Sequence, residues 1–527
     1  MQSWNMGYDT DTNYNFGYFS QLNPLILKFV FLTQRLAFPK LGPDTTACEL
    51  GFGNGISVIM HGAATDVKWY GTDFNPSQVN FAQQLAKTGH VPVDLRDDAF
   101  GDFAKREDVP MFDYICLHGI WSWINKDNQN VIVDFVRNKL KVGGVLYVSY
   151  NTSPGFNYIE PIRNILDNYA NFIADPALNH VQKVAPGIEF IKKLLELKPG
   201  YVTAAPWVEK HFEQKMVSQD QNYVAHEYLN GNWFVEHFDD VAAKFETAKL
   251  TYICQARLSD NVDDMNLKKE EQEILAPLKG TPVYQASYDY VTGQQFRSDL
   301  YVKGALQLSE KQFQEQLDAT HMVLMVNFKD DDFTIRTRLG TDKVDMSRVR
   351  KIIHFLSDYK VHSFAELRAE LAFDPDAPAP QGDTTGRIPQ EELLDNLVYA
   401  ICSGLVALAV DPATITNEVK ERCLTLNANI LQGYQKHSIA FLSSPVLAGG
   451  HYVDDITKIM INLVQRIKGV TEEEITRAIL SIAGDDVPMK LKDREITDPK
   501  EKYEVVRKQV HRFMTFDLPS LKRLMVI

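Results

Sequence analysis

The stretch CELGFGNGISVIMHGAA, residues 48–64, sets a short apolar run against a helix-like segment across a turn with glycines at 51, 53 and 55. A strand that ends in such a turn and leads into a helix presents backbone N–H groups and the positive helix end to a ligand. Two nucleotide chemistries compete for it. The dinucleotide fingerprint places its third glycine three residues after the second, and position 56 is isoleucine. Glu49, two residues before Gly51, instead suits a ligand that lacks phosphates and carries a positive centre. S-adenosylmethionine is such a ligand, with a carboxylate for the backbone amides and an amino group for Glu49. A strand-to-helix turn with no ligand fits the same residues.

Outward from the turn, apolar runs at 46–50, 67–72, 112–117 and 144–150 alternate with helix-like segments at 55–64, 76–88 and 128–140. This alternation predicts an α/β, Rossmann-like doubly wound parallel sheet. Its strand ends carry the candidate site. VKWYGTD ends in Asp73, 22 residues after Gly51, where a carboxylate accepts ribose hydroxyls. VDLRDDAF brings Asp97, Asp98, Ala99 and Phe100 to the next end, suited to an adenine ring, although a solvated turn accounts for the two aspartates equally. FDYICLHGIWSWI ends in His118 and Gly119, followed by Trp121 and Trp123. Ligands of open α/β sheets lie beyond these carboxyl ends.

The rhythm breaks at 156–222, a predicted helical insertion, and resumes at 238–258 with a helix and a late strand. A first domain is therefore expected over 1–258, a middle domain over 259–340, and a mostly helical region over 341–527, open to a winged-helix-like arrangement. The Pro/Gly/Asp-rich FDPDAPAPQGDTTG marks a linker near 373–386. LVYAICSGLVALAV, 397–410, predicts a buried helix too short to span a bilayer. A formal charge of −14 disfavours nucleic acid. Five scattered cysteines show no metal spacing and suit a reducing compartment. The first residues lack the basic and apolar regions of a signal peptide, so a cytoplasmic chain with no bound metal and no membrane span is expected.

The motifs ELGFGNG, GTDFNP, LHGIWSWI and VGGVLYVSYNTSPG, with NYNFGYFSQLNP near the start and YVAHEYLNGNWF at 223–234, resemble class I S-adenosylmethionine-dependent methyltransferases that carry a methyltransferase regulatory domain. That group includes the rickettsial protein-lysine methyltransferases. YDYVTGQQFRSDLYV, 288–302, resembles the regulatory domain's signature. The resemblance implies methyl transfer to lysine side chains of a protein. It implies cofactor contacts from Glu49, Gly51, Gly53, Gly55, Asp73, Phe74, Asp98, Ala99 and His118. His118, Trp121 and Trp123 become the candidate catalytic residues, with Tyr14, Tyr18, Tyr150 and His226 around the acceptor. Each aromatic ring fits core or lid packing as well. A small metabolite or lipid-linked acceptor, and a cofactor-binding module without turnover, stay open. So does a homodimer. Departures such as Phe156 after the Pro-Gly bear on the substrate more than on the chemistry.

Overall fold

The computed structural model describes residues 16–329, 333–373, 388–433, 439–483, 489–491 and 494–527. Its central sheet has seven strands: β1 (Thr46–Leu50), β2 (Lys68–Thr72), β3 (Val93–Arg96), β4 (Phe112–Leu117), β5 (Leu140–Asn151), β6 (Thr251–Gln255) and β7 (Phe296–Val302). They lie in the order β3-β2-β1-β4-β5-β7-β6. The first five are parallel, and β7 runs antiparallel between β5 and β6. The direction of winding switches between β1 and β4, the point where such sheets open a ligand crevice.

Period-two alternation builds two cores from these strands. Ala47, Tyr114, Cys116, Val145, Tyr147, Leu300 and Val302 face one layer. Cys48, Leu50, Ile115, Leu117, Leu146, Val148, Tyr150 and Tyr301 face the other. On the first side lie α1 (Pro24–Thr33) and α2 (Ile56–Ala64), with α3 (Pro76–Thr88) following β2. On the second, α4 (Phe100–Ala104) is followed by α5 (Lys126–Lys139), which buries Ile132, Val133, Phe135 and Val136. The helix starts are locally encoded. Asn75 accepts from the Ser77 N–H ahead of Pro76, and Asn125 accepts from the Asn128 N–H.

After β5 come five helices: α6 (Glu160–Phe172), α7 (His180–Glu196), α8 (Gly200–Ala204), α9 (Trp207–Phe212) and α10 (Gln221–Tyr228). Four of them, α6, α7, α9 and α10, share a separate apolar core that includes Ile162, Leu166, Ile188, Phe212 and Tyr228. Helix α11 (Phe238–Glu246) returns the chain to β6.

The pairing of the central sheet runs past residue 258. β7 lies 38 residues beyond it in sequence, at Phe296, yet is hydrogen-bonded on both sides within the same sheet. The helix Pro282–Thr292 leads into it through Gly293. Beyond β7 the described residues are mostly helical with short strands between. The stretch 397–410 is not one helix, because the helix Gln390–Cys402 ends at Gly404, with φ +71°, and Val406–Ala409 is a strand. Most of the linker near 373–386 lies outside the described residues. The helix Asn417–Leu431 and the hairpin of Phe441–Ser444 with Gly449–Tyr452 lie on α2. Arg422 donates to the Thr65 carbonyl at 2.8 Å, and Ser443 Oγ donates to the Met60 carbonyl at 3.3 Å.

A fully buried Arg297 on β7 donates to Asp289 Oδ1 at 2.6 Å and to Asp299 at 3.0 Å. Replacing Arg297 with leucine leaves both carboxylates in the core without their cation. The expected loss of unfolding free energy is about 3–5 kcal/mol, seen as a lower denaturant midpoint. An unchanged midpoint would show that the pair does not hold β7 in place.

Candidate functional site

The turn after β1 folds as three left-handed glycines, with φ of +71° at Gly51, +58° at Gly53 and +72° at Gly55. Residues with a Cβ adopt this backbone at a cost. Space adds a second constraint at Gly51, where a Cβ would fall 2.3 Å from Ile120 Cδ1. The Gly51 N–H donates to the Thr72 carbonyl at 2.8 Å, which ties the turn to the end of β2.

Glu49, Gly51, Gly53, Gly55, Asp73 and His118 come together around one cleft of about 30 Å³ at the switch point. Asp73 accepts from the Gly53 N–H at 2.8 Å and the Asn75 N–H at 3.0 Å. Each carboxylate oxygen retains a further lone pair for a hydroxyl donor. Glu49 is buried, and its Oε2 has no hydrogen-bond partner among the described residues. Burial pushes its carboxyl up to about 8, and the charge of Asp73 pushes the same way. Asp73 is raised to about 6 by burial, against the pull of the two amides. An unpartnered buried carboxylate beside a second one is the electrostatic counterpart of a cation with hydroxyl groups.

His118 closes the far side. Its Nδ1 lies 2.8 Å from the Tyr147 hydroxyl and 3.0 Å from Ser149 Oγ, and its Nε2 lies 3.4 Å from the Gln21 amide nitrogen. With Gln21 donating to Nε2, the proton sits on Nδ1. Tyr147 passes its own proton to Ser298 Oγ at 3.1 Å, and Ser149 Oγ accepts the Gly119 N–H at 2.9 Å. Burial, reinforced by the charge of Arg257, brings the imidazole down to about 3. The ring is neutral near pH 7. The Phe19 ring sits on it with centroids 4.2 Å apart, and Gly17 and Phe19 form the outer wall of the cleft.

The remaining sequence candidates lie elsewhere. Phe74, Asp98 and Ala99 do not line this cleft. Asp98 receives Arg106 Nη1 at 3.2 Å, and its carbonyl accepts the Thr72 hydroxyl. Trp121 is fully buried in the second core, against Phe245 at 4.9 Å, and the cation over its ring is the chain's own Lys244, 5.3 Å away. Trp123 is buried on the same short turn and does not reach the cleft. Tyr150 faces that core as well and donates to Asp299 at 2.7 Å. Strand alternation is the cause, since Tyr147 and Ser149 project to the His118 side and residue 150 to the opposite one. Tyr18 points at His61 and the hairpin at 441–452. His226 lies on α10, away from the described cleft. Tyr14 lies outside the described residues.

Residues that the sequence alone did not single out surround His118: Phe19, Gln21, Tyr147 and Ser149. The i, i+2 spacing of Tyr147 and Ser149 is the signal that could have found two of them. Asn151 continues the same face one pleat beyond Ser149. Glu227 lies on α10, outside the residues that line the cleft. Burial raises it to about 7, against the pull of Asn151 and of the Lys215 charge. Among the described residues no group of three His, Cys, Asp or Glu side chains is placed to hold a metal, and no helix is long and apolar enough to cross a membrane.

A family model described as a predicted methyltransferase regulatory domain matches residues 220–303, a span from α10 to the end of β7. The chain is 30% identical over 466 residues to "Uncharacterized protein sll1526" of Synechocystis sp., with 88% of each covered. The chain belongs to the methyltransferase regulatory-domain family. It is also 24% identical over 278 residues to "Uncharacterized protein RP789" of Rickettsia prowazekii, covering 50% of this chain and 46% of that one. The structure of PKMT2 from Rickettsia typhi in complex with AdoHcy has the same fold, with a TM-score of 0.65 at 18% identity over 97% of this chain and 99% of that one. The family's regulatory segment supplies β6 and β7, so in this fold it is part of the methyltransferase-type sheet.

Both buried carboxyls sit above their ordinary values, so the stability they confer is complete below the unfolded values of 4.5 and 3.8 and is lost as pH rises through the folded ones, about 6 for Asp73 and about 8 for Glu49. Melting temperature of the ligand-free protein is expected to fall across this window. Glu49→Gln should flatten the upper part of the fall, and an identical profile in the variant would contradict the assignment.

Proposed function

We propose that the protein is an S-adenosylmethionine-dependent methyltransferase whose acceptor is the side-chain amine of lysine in a protein. The observation that carries the proposal is the buried, unpartnered carboxylate oxygen of Glu49 beside Asp73, under a three-glycine turn at the switch point. The family membership, the fold shared with an AdoHcy complex and the resemblance to rickettsial protein-lysine methyltransferases support it.

In this reading Glu49 ionises opposite the cofactor's amino group, and Asp73 accepts the ribose hydroxyls with the lone pairs its two amides leave free. A bound cofactor would supply a methyl group on a sulfonium, and Glu49 and Asp73 would hold it for in-line transfer to a nucleophile. Neutral His118 positions groups at the cleft and does not act as a base, because a ring titrating near 3 holds no proton-accepting advantage at neutral pH. Glu227, raised by burial to about 7, is better matched in proton affinity to the acceptor's proton.

Asp73→Asn should weaken AdoHcy binding by about 1.5–3 kcal/mol in calorimetry while the fold persists. Unchanged affinity removes the ribose assignment. Glu227→Gln should lower turnover on the order of 10²-fold and erase a rise in rate through pH about 7, leaving cofactor affinity in place. Incubation with methyl-labelled cofactor and fractionated cell extract tests the acceptor class. Label in protein lysine supports the proposal, and label confined to solvent-extractable molecules overturns it.

A further inference from the structure

Residues 16–23 cross the open side of the cleft, and their side chains divide between two neighbours. Gly17 and Phe19 face the cleft, with the Phe19 N–H donating to Ser57 Oγ of α2 at 3.0 Å. Tyr18, between them, faces away. Its hydroxyl lies 3.1 Å from Nε2 of His61, a fully buried ring stacked on Trp69. Its ring centroid is 5.4 Å from that of Phe441.

The hairpin is shaped around this ring by two consecutive glycines. A Cβ at Gly449 would fall 2.2 Å from the Tyr18 hydroxyl oxygen, and one at Gly450 would fall 2.9 Å from Tyr18 Cγ. Neither glycine has a left-handed backbone. The requirement there is space and not conformation. A second tie follows within five residues, where Asn23 Nδ2 donates to the Leu447 carbonyl at 2.9 Å. Between the two ties, Phe19 rests on His118 and Gln21 donates to it.

We propose that Tyr18 is a positioning residue through which the C-terminal hairpin Phe441–Tyr452 holds the Gly17–Phe19 wall over the cofactor cleft, so that the C-terminal region controls how long the cofactor stays. The proposal rests on the cofactor reading given above. It assigns to the hairpin a function in the cofactor cycle, besides any role in recognising an acceptor. Gly17 and Phe19 line the cleft together with Glu49 and Asp73, so lifting of the segment widens the route for cofactor exchange, and its attachment to the hairpin resists that movement.

A double-mutant cycle in the full chain separates this from simple packing. Gly449→Ala, which inserts a methyl group where the Tyr18 hydroxyl sits, should raise the AdoHcy dissociation rate about tenfold, as should Tyr18→Ala. The double variant should show no further increase, because the clash has lost its partner. Tyr18→Phe should recover most of the slow dissociation, since it retains the ring contacts and loses only the hydroxyl. Amide hydrogen exchange, which needs no cofactor, should speed up at residues 17–22 in Gly449→Ala.

Equal effects of Gly449→Ala in the wild-type and Tyr18→Ala backgrounds would overturn the proposal. So would unchanged dissociation combined with unchanged exchange. If the wild type fails to bind AdoHcy while exchange at 17–22 still responds to Gly449→Ala, the cofactor reading falls and the hairpin's hold on the segment stands.

Discussion

A guanidinium with no access to water, Arg297 on β7, is the constraint on which the architecture depends. Burial alone disfavours its charge, and Asp299, Tyr252, Tyr150 and Asp289 around it reverse that effect, so the cation persists with its pKa above the ordinary value. Its nitrogens are divided among Asp289, Asp299, the Tyr252 hydroxyl at 3.0 Å and Gln285 at 2.9 Å. These partners come from the helix Pro282–Thr292, from β6 and from β7 itself. A buried pair of this kind gives little net stability over a well-packed apolar substitute, but it penalises any arrangement that leaves one member unpaired. It therefore selects one register for the strand that separates β5 from β6. The signature YDYVTGQQFRSDLYV encodes it, because Asp289, Arg297 and Asp299 are three of its residues.

Local pattern made much of the sheet legible. β1, β2 and β4 are apolar runs bounded by turn residues, and α2, α3 and α5 follow from periodicity and caps close to where they form. The place of β7 was not legible, because its partners are decided by antiparallel pairing with β5, about 150 residues earlier in sequence, and nothing local distinguishes that from an independent strand. The site divides in the same way. Glu49, the three glycines and Asp73 are brought together by the strand ends that carry them. The aromatic residues are distributed by parity. Residues 147 and 149 share one face of β5 and residue 150 the other, so Tyr150 belongs to the Arg297 network, and Trp121 finds its cation in Lys244 of the same chain. The segment at 16–23 carried the least local information, since its contacts reach hundreds of residues away to Phe441, Leu447 and Gly449.

The electrostatics of the cleft and of the structural network follow opposite logic. Around Arg297 every buried charge has a counter-charge in the fold. Around Glu49 two carboxyls are buried together, and the protein supplies backbone amides to one of them only. Packing two acids without a cation costs stability, and a fold that elsewhere neutralises its buried charges has no structural need for that arrangement. The imbalance is best accounted for by a cationic ligand that completes the site.

His118 is where these two systems meet. Its Nε2 is held by Gln21 of the segment that the hairpin anchors, and its Nδ1 by Tyr147 and Ser149 of β5. Tyr147 in turn donates to Ser298, the residue between Arg297 and Asp299. One hydrogen-bond path thus runs from the N-terminal segment through the imidazole to β7. Displacement of β7 would shift Ser298 and withdraw the acceptor that orients the Tyr147 hydroxyl. Two hydroxyls, those of Ser298 and Tyr147, link β7 to the imidazole at the cleft.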